Sequence, residues 1–555
     1  MVTINSDNFM AELVFCIKQS DVVKTKALIQ YFAHTDIKTQ RRALYELSKA
    51  PDKFAYPVLA YLLETKSSYD EIDDKIYSLL FQISYNNREQ LISYIKSKDN
   101  RRKKVFIKIA GELELVDAVP ELIEVLRTEK DADIILVAIS ALNVIGVKES
   151  IAPIAEYLYS NHHDLRQASI SALSNIGGDL AVKYLSDAIK GDDEKDALLI
   201  YAIAGINTDS AIKILSHLVG HTSVSVRNLA IDNLIKIGAK SIPIIIENLK
   251  SKNVDLIISS LNILGRIGDK AAITPIQMLI HEQPENANIR FTAYEALGFL
   301  PSTPKTAISL STGLEDSEEF VRLAAAKAID KNLSKILISG LKNLIEPRDE
   351  QAKNIVATII DAQADKIFSS LAGWEVFVAV ALNYLITNAH PSISERYMKI
   401  LEDKGIFGKK IKYVKEEKPV QPEKKLTIYA VDDSKLMLNL YMKKLHKLGH
   451  NPFTFLHAEQ AIEAIYESKP DILITDLNMP DINGVQLVQE IRTAFNPSDL
   501  PIIMITTQSD FGTNPLEGKP YFSLEEIQKA GINLLLHKPF KDSELAEAID
   551  KCLKK

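Results

Sequence analysis

The stretch that decides the fold of the C-terminal part of the chain is residues 471–480, which read DILITDLNMP. Three apolar residues, 472–474, are followed by Thr475 and Asp476, while Pro470 precedes the stretch and Pro480 ends it. A short apolar run bounded by turn formers predicts a buried strand. Asp476 would then lie at the carboxyl end of that strand, where open α/β sheets place their ligand sites.

Outward from this segment, short apolar runs alternate with helical patterns. We predict strands over 426–431, 452–455, 471–475, 501–506 and 534–536, and helices over 434–448, 458–466, 484–494, 524–530 and 542–553. Five such βα units indicate an α/β doubly wound domain of the flavodoxin-like kind, with a five-stranded parallel sheet. The functional edge of this domain should be formed by the carboxyl ends of its strands.

Charged and hydroxyl side chains stand at the predicted strand ends. Asp432 and Asp433 end the first strand, and Asp476 ends the third. Carboxylates that converge at one edge repel each other, and a hard divalent cation such as Mg²⁺ would relieve that repulsion. Thr506 ends the fourth strand and Lys538 follows the fifth. A hydroxyl and an ammonium would therefore reach the same edge, and they are the donors that an acyl phosphate needs.

Four short motifs in this part of the chain resemble, in order, the motif set of bacterial two-component response-regulator receivers. They are VDDS at 431–434, DLNMP at 476–480 with Gly484, ITT at 505–507 and HKPF at 537–540. The resemblance implies that Asp476 accepts a phosphoryl group from the phosphohistidine of a partner histidine kinase or phosphotransfer protein. It also implies that Thr506 hydrogen-bonds that group and that Lys538 pairs with it.

The same resemblance implies a magnesium site at Asp432, Asp433, Asp476 and Asn478. In that site Asp433 and the main-chain carbonyl of Asn478 bind the ion directly, and Asp432 acts through water. Pro539 is expected to follow the cis Lys-Pro bond of the family.

Three features depart from the family pattern. Leu535 stands where the family has its switch aromatic, which puts the usual coupling of a threonine shift to ring burial in doubt. Thr507 follows Thr506 where a small residue is usual, so it is expected to crowd the site. The segment 508–522, which follows the fourth predicted strand, is about ten residues longer than the corresponding segment is in the family. This insert is interpreted as a surface loop, with a docking loop as the alternative.

The N-terminal part repeats a motif about every 30 to 33 residues between about 40 and 350. Clear copies are ALNVIG at 141–146, ALSNIG at 172–177, NLIKIG at 233–238 and ILGRIG at 263–268. Each unit predicts two helices, the first ending at glycine or asparagine. Since one helix pair cannot bury its apolar faces alone, neighbouring units must stack. The pattern therefore predicts an all-α solenoid.

Several repeats carry an arginine near the start of the first helix: Arg166, Arg227, Arg290 and Arg322. The pattern of polar turn, arginine and Ala-Leu…Ile-Gly resembles HEAT repeats of the phycobilisome-lyase-like type. We interpret these arginines as structural, bonding to the acidic turn of a neighbouring repeat. The alternative is a row of cations that binds an acidic partner.

The two repeating patterns together predict the domain organisation. We expect a HEAT-repeat solenoid over 1–408, a charged, proline-containing linker over 409–424 and a receiver over 425–555.

Composition and charge limit the possible partners and the compartment. The net charge of −7 and the absence of a basic patch argue against a nucleic-acid partner. Two cysteines without metal or disulfide spacing fit a reducing cytoplasm. The apolar stretch 369–386 contains Glu375 and Asn383 and is interpreted as a buried helix, so no membrane insertion is expected.

Three hypotheses for function follow. In the first, the chain is a response regulator whose solenoid is a scaffold for one or more unidentified proteins, and phosphorylation of Asp476 changes the contact between the two parts. In the second, the receiver is a phosphate sink or relay that the solenoid localises. In the third, the HEAT part acts as a lyase on a bilin chromophore. No nucleotide-binding loop or nucleophile–base motif supports an enzyme, so we expect no enzymatic output.

Overall fold

The computed structural model describes residues 6–65, 71–96, 100–190, 193–221, 223–282, 284–406, 425–477, 479, 482–507, 524–538, 540 and 542–553. It divides into two compact units, Met1–Ile214 and Leu215–Lys555. The predicted linker at 409–424 and the insert at 508–522 lie outside the described residues. The predicted division into solenoid, linker and receiver therefore remains a prediction.

The first unit is built from helices that follow one another with short connections. They are α1 (Ser6–Gln19), α2 (Val22–Ile29), α3 (Ile37–Lys49), α4 (Asp52–Thr65), α5 (Glu71–Asn86), α6 (Arg88–Ile95), α7 (Asn100–Glu112), α8 (Val119–Thr128), α9 (Ala132–Ile145), α10 (Ile151–Ala155), α11 (His163–Ile176), α12 (Gly178–Asp187), α13 (Asp193–Ile206) and α14 (Asp209–Leu218), the last of which runs across the division. The repeated Ile-Gly motif marks helix ends as expected. Gly146 stops α9 with φ 73°, a left-handed conformation that favours glycine.

The helical part of the second unit continues the same alternation. It comprises α15 (Val224–Ile237), α16 (Ile242–Asn248), α17 (Val254–Ile267), α18 (Ile273–His281), α19 (Ala287–Phe299), α20 (Pro304–Thr312), α21 (Glu319–Lys331), α22 (Lys335–Ile345), α23 (Glu350–Asp361), α24 (Asp365–Leu371), α25 (Glu375–Thr387) and α26 (Pro391–Asp403). The first helices of neighbouring repeats pack closely against each other. For example, a Cβ added to Gly265 on α17 would lie only 3.0 Å from the Cα of Ala296 on α19. The predicted all-α solenoid is confirmed.

The repeat arginines have structural partners. Arg166 donates to the carbonyl of Ser160 at 2.8 Å, and Arg227 donates to that of His221 at 2.7 Å. In both cases the acceptor lies in the turn before the arginine's own helix rather than in a neighbouring repeat. Arg290 does reach the acidic turn of the next repeat, with Nε and Nη2 donating to the two carboxylate oxygens of Asp316 at 2.8 and 2.9 Å. The expected bond to a neighbouring acidic turn is therefore present at Arg290.

Replacing Arg290 with alanine is expected to destabilise the solenoid around α19 and α21 by about 3–5 kcal/mol. The reason is that Asp316, whose side chain is only 11% exposed, would keep its charge without its bidentate partner. Local unfolding free energies from hydrogen exchange of the amides in α19 and α21 measure the effect. Arg266→Ala is the matched control, since its pair with Asp232 is more than half exposed and should cost less than about 1 kcal/mol. Equal effects of the two substitutions would contradict the prediction.

The C-terminal part of the second unit is an α/β domain. Its strands are β1 (Thr427–Val431), β2 (Asn451–Phe455), β3 (Ile472–Asp476), β4 (Ile502–Thr507) and β5 (Leu534–Lys538), and its helices are α27 (Lys435–Lys447), α28 (Ala458–Glu467), α29 (Gly484–Arg492), α30 (Leu524–Lys529) and α31 (Asp542–Leu553). The strands form one parallel sheet in the order β2-β1-β3-β4-β5. This confirms the predicted flavodoxin-like fold, with element ends within about two residues of those expected.

The apolar stretch 369–386 is divided between two helices, because α24 ends at Leu371 and α25 begins at Glu375. On α25, Val376, Phe377 and Ala381 are buried, whereas Ile386 is 55% exposed. The expected burial is therefore found on one face of α25, and the expectation of a single helix across the stretch is wrong. Among the described residues, no helix is both long and apolar enough to cross a membrane.

Candidate functional site

Lys538 connects two of the predicted acidic residues at the carboxyl edge of the sheet. Its Nζ donates to Asp476 Oδ1 at 2.7 Å and to Asp432 Oδ2 at 3.0 Å. Burial of the ammonium lowers its pKa, but attraction from Asp432 and Asp476 outweighs burial and holds the pKa of Lys538 well above its usual value. Lys538 is therefore a fixed positive charge beside the predicted acceptor carboxylate.

Within the described part of the chain, three donors hold Asp432. Besides Lys538, its carboxylate accepts from the backbone N–H of Ser434 at 2.9 Å and from the hydroxyl of Tyr441 at 3.1 Å. The Tyr441 ring is fully buried in α27 and stacks on Phe540 with the centroids 6.0 Å apart. Burial raises the pKa of Tyr441 well above its usual value, so it remains a donor. Sequence reasoning missed Tyr441, whose only signal was a polar-tipped aromatic on the apolar face of the first helix.

Asp433 is exposed at this edge, although neighbouring residues shield part of its carboxyl group from solvent. Burial raises the pKa of its carboxyl to about 6, repulsion from Asp432 adds to this, and Lys538 opposes both. Among the described residues, the carboxylates of Asp432, Asp433 and Asp476 lie near the ammonium of Lys538. One ammonium cannot neutralise three carboxylates, and Mg²⁺ prefers oxygen donors such as these. In the described part of the chain, no three His, Cys, Asp or Glu side chains are grouped as a metal site, and Asn478 lies outside it. The donor chemistry fits Mg²⁺, and the site itself remains a prediction.

The remaining predicted residues lie at the same edge. Thr506 is fully buried near the end of β4, one position beyond the residue that pairs with Asp476 across the sheet. Asp476 is 8% exposed. Leu535 is half-buried and packs against the sheet core, so an aliphatic side chain occupies the position of the switch aromatic. Pro539 and its peptide bond lie outside the described residues, and the crowding expected from Thr507 stays a prediction.

The acidic edge opens into a cavity of about 1300 Å³ within the second unit. On the side of the α/β domain its lining includes Asp432, Asp433, Asp476 and Lys538. On the solenoid side, the lining includes Glu295 on α19. Burial raises the pKa of Glu295 to about 7, repulsion from Asp433 and Asp432 adds to the rise, and Lys331 opposes it. The solenoid therefore adds a further carboxyl to the surroundings of the candidate site.

In metal-free buffer, Glu295 is expected to make the second unit less stable as the pH rises from about 4.5 to about 7. A raised carboxyl pKa means that the folded protein binds one more proton than the unfolded chain in this window, so stability falls with pH by up to about 3 kcal/mol. Glu295→Gln should remove this part of the pH dependence of stability, and the variant should be more stable than the wild type at pH 8. Denaturant unfolding at several pH values measures the free energy of unfolding, and Glu282→Gln, at an exposed position, is the control. An unchanged slope in Glu295→Gln would contradict the prediction.

A parallel five-stranded sheet with an acidic pair after β1, an aspartate ending β3 and a lysine ending β5 defines a receiver-type α/β domain. The family model described as "Response regulator receiver domain" matches residues 428–550, and that described as "HEAT repeats" matches residues 119–199 and 242–330. The chain belongs to the response regulators, with a receiver domain joined to N-terminal HEAT repeats.

Chemotaxis proteins of other bacteria resemble the receiver part. A "Chemotaxis protein CheY homolog" of Campylobacter jejuni is 35% identical over 132 residues, which are 23% of this chain and 92% of the relative. "Chemotaxis protein CheY1" of Helicobacter pylori is 33% identical and is covered to 97%. The solved structure of chemotaxis protein CheY4 of Vibrio cholerae is 26% identical, covers 23% of this chain and 100% of its own, and has a TM-score of 0.20. These similarities concern the receiver alone.

Proposed function

We propose that this response regulator is phosphorylated on Asp476 by a partner histidine kinase or phosphotransfer protein, and that the HEAT solenoid is the protein-interaction scaffold through which the signal leaves. The observation that carries the proposal is the position of Lys538, whose ammonium lies 2.7 Å from the acceptor oxygen of Asp476. The family membership of the receiver supports it. The proposed compartment is the cytoplasm, and no enzymatic output is part of the proposal.

The chemistry needs few protein groups. A carboxylate oxygen of Asp476 attacks the phosphorus of the phosphohistidine, the P–N bond breaks, and the histidine nitrogen leaves with the bonding electron pair. The product is an acyl phosphate on Asp476. In this proposal, Lys538 pairs with the new phosphoryl oxygens and the hydroxyl of Thr506 donates to one of them. Tyr441 and the N–H of Ser434 keep Asp432 in place while this happens.

Mg²⁺ would be held by Asp432, Asp433 and Asp476, together with the main chain at Asn478. When bound, it neutralises part of the charge at this edge and orients the incoming phosphoryl group. Burial is the main cause of the raised pKa of Asp433, and repulsion from Asp432 adds to it; a bound cation would relieve that repulsion.

The test is to treat the full chain with Mg²⁺ and a small acyl phosphate and to record intact mass and small-angle scattering. We expect one phosphate adduct in the wild type and in the exposed control Asp499→Asn, and none in Asp476→Asn. A changed scattering envelope would support the scaffold output. An adduct that is lost rapidly without any change in envelope would favour the phosphate sink. An adduct that persists in Asp476→Asn would contradict the proposed acceptor.

A further inference from the structure

A lysine on the first helix of the receiver forms ion pairs with the solenoid. Lys443, on α27, donates from Nζ to Glu319 Oε1 at 2.6 Å and to Asp361 Oδ2 at 2.7 Å. Glu319 begins α21 and Asp361 ends α23, so one side chain connects the receiver to two solenoid helices. Lys443 does not serve the acceptor site, and nothing in the proposed phosphorylation chemistry requires it.

The surroundings of Asp361 show that this contact is built into the solenoid. The Asp361 side chain is 9% exposed and also accepts from the hydroxyl of Tyr384 at 2.6 Å. Burial raises the pKa of Asp361, and Lys443 opposes that rise. Without Lys443, the solenoid would carry a buried carboxylate beside a second carboxylate, which is costly. The solenoid surface therefore favours a cation at this position.

A second contact lies one turn further along the same helix. The rings of His446 on α27 and His390 before α26 meet edge to face, with centroids 4.8 Å apart. Lys443 and His446 thus place one face of α27 against α21, α23 and the start of α26. Both contacts are on the helix that directly follows Asp432 and Asp433 in the chain, so docking of α27 turns the acidic edge toward the solenoid.

Solenoid helices face the acidic edge across the cavity. Asp476 and Lys538 line this space of about 1300 Å³ together with Ile258 on α17 and Glu295 on α19. A folded domain of 100 residues has a radius of gyration of about 13 Å, so a protein that presents a phosphohistidine would have to approach Asp476 past these helices. An acyl phosphate or a hydrated cation is small enough to enter the cavity itself.

We propose that the docked arrangement closes the acceptor edge to macromolecules while leaving it open to small molecules, and that Lys443 is the residue that holds it closed. This inference rests on the proposed function in one respect, since it means that a protein phosphodonor gains access to Asp476 only after α27 leaves the solenoid. A partner that binds the solenoid at Glu319 and Asp361 would then control phosphorylation. The closed state itself is independent of phosphate chemistry and can be tested without it.

The test uses a cysteine at position 439, because Asn439 lies on α27 and lines the cavity. Both native cysteines are buried, so their background reaction is low. In full-length Asn439→Cys protein, N-ethylmaleimide and a polyethylene glycol maleimide larger than the cavity are reacted separately, and the ratio of their rates is normalised to the ratio measured for free cysteine. The same ratio is measured in three further proteins that all carry Asn439→Cys. The first also carries Lys443→Glu, and the second carries Lys551→Glu as a control at an exposed position. The third carries both Lys443→Glu and Glu319→Lys.

We expect the polymer to react at least tenfold more slowly than the small reagent, after normalisation, in Asn439→Cys and in the Lys551→Glu control. Lys443→Glu should abolish the difference, and Glu319→Lys should restore part of it. Circular dichroism of each variant verifies that it is folded. No size selectivity in Asn439→Cys, or equal selectivity with and without Lys443→Glu, would overturn the proposal. Since no phosphate is used, neither result depends on whether Asp476 is the acceptor.

Discussion

Lys538→Met is expected to slow phosphoryl transfer from a small acyl phosphate to Asp476 by about 100- to 1000-fold, the usual cost of removing one preorganised donor from a buried site. In the resting site its ammonium lies 2.7 Å from Asp476 and 3.0 Å from Asp432. It must be in place before the phosphoryl oxygens arrive, because only then does their new charge meet an existing partner. Intact-mass time courses at saturating Mg²⁺ measure the rate.

The same substitution should also destabilise the receiver in metal-free buffer by about 3–5 kcal/mol, because two largely buried carboxylates lose their shared cation. Mg²⁺ should reduce this loss, since it offers the carboxylates another positive charge. Lys551→Met is the matched control, because Lys551 pairs with Glu547 on the exposed surface of α31. It should leave the rate unchanged and cost less than about 1 kcal/mol. A wild-type transfer rate in Lys538→Met would contradict the role assigned to this lysine.

Gly484→Ala is expected to displace β3, the strand that ends at Asp476, although the substitution adds a single methyl group. A Cβ at this position would lie 2.1 Å from the main-chain oxygen of Asp476 and 3.0 Å from the Cα of Leu477. The start of α29 cannot yield easily, because Asn483 and Gln486 form reciprocal capping bonds there. Overpacking against backbone typically costs about 1–3 kcal/mol or more.

Hydrogen exchange of peptides that contain β3 measures this effect, together with the yield of the phosphate adduct. Both the protection of β3 and the adduct yield should fall in Gly484→Ala. Gly373→Ala is the control, because a Cβ there meets nothing within 4 Å. Amide protection of β3 in Gly484→Ala equal to that in the wild type would contradict the prediction.

Much of the receiver could be predicted from local pattern. The apolar run before Asp476 and the turn formers around it indicate a buried strand, and the carboxyl ends of parallel strands share one edge. For this reason the proximity of Asp432, Asp476 and Lys538 followed from strand order alone. The helical repeats were equally predictable, since the Ile-Gly motif ends helices at glycines that all have a positive φ: Gly146, Gly177, Gly238 and Gly268.

Contacts between distant segments were not predictable in the same way. Tyr441 reaches Asp432 only because α27 packs beside β1, and nothing in its sequence neighbourhood marks it. Lys443 meets Glu319 and Asp361 across 124 and 82 residues, and a lysine on a helix most often faces solvent. Glu295 lines the cavity only because the solenoid helices stack in the way they do. Such pairings depend on how elements dock, and hydrophobic periodicity carries no information about that.

The measurement that tests the central claim most directly is the location of the phosphoryl group. After reaction of the full chain with Mg²⁺ and a small acyl phosphate, borohydride reduces the acyl phosphate and marks its aspartate as homoserine, which peptide mass spectrometry can place. We expect the mark at Asp476 alone, and less of it when Mg²⁺ is chelated. A mark at Asp432, Asp433 or outside the receiver would contradict the account.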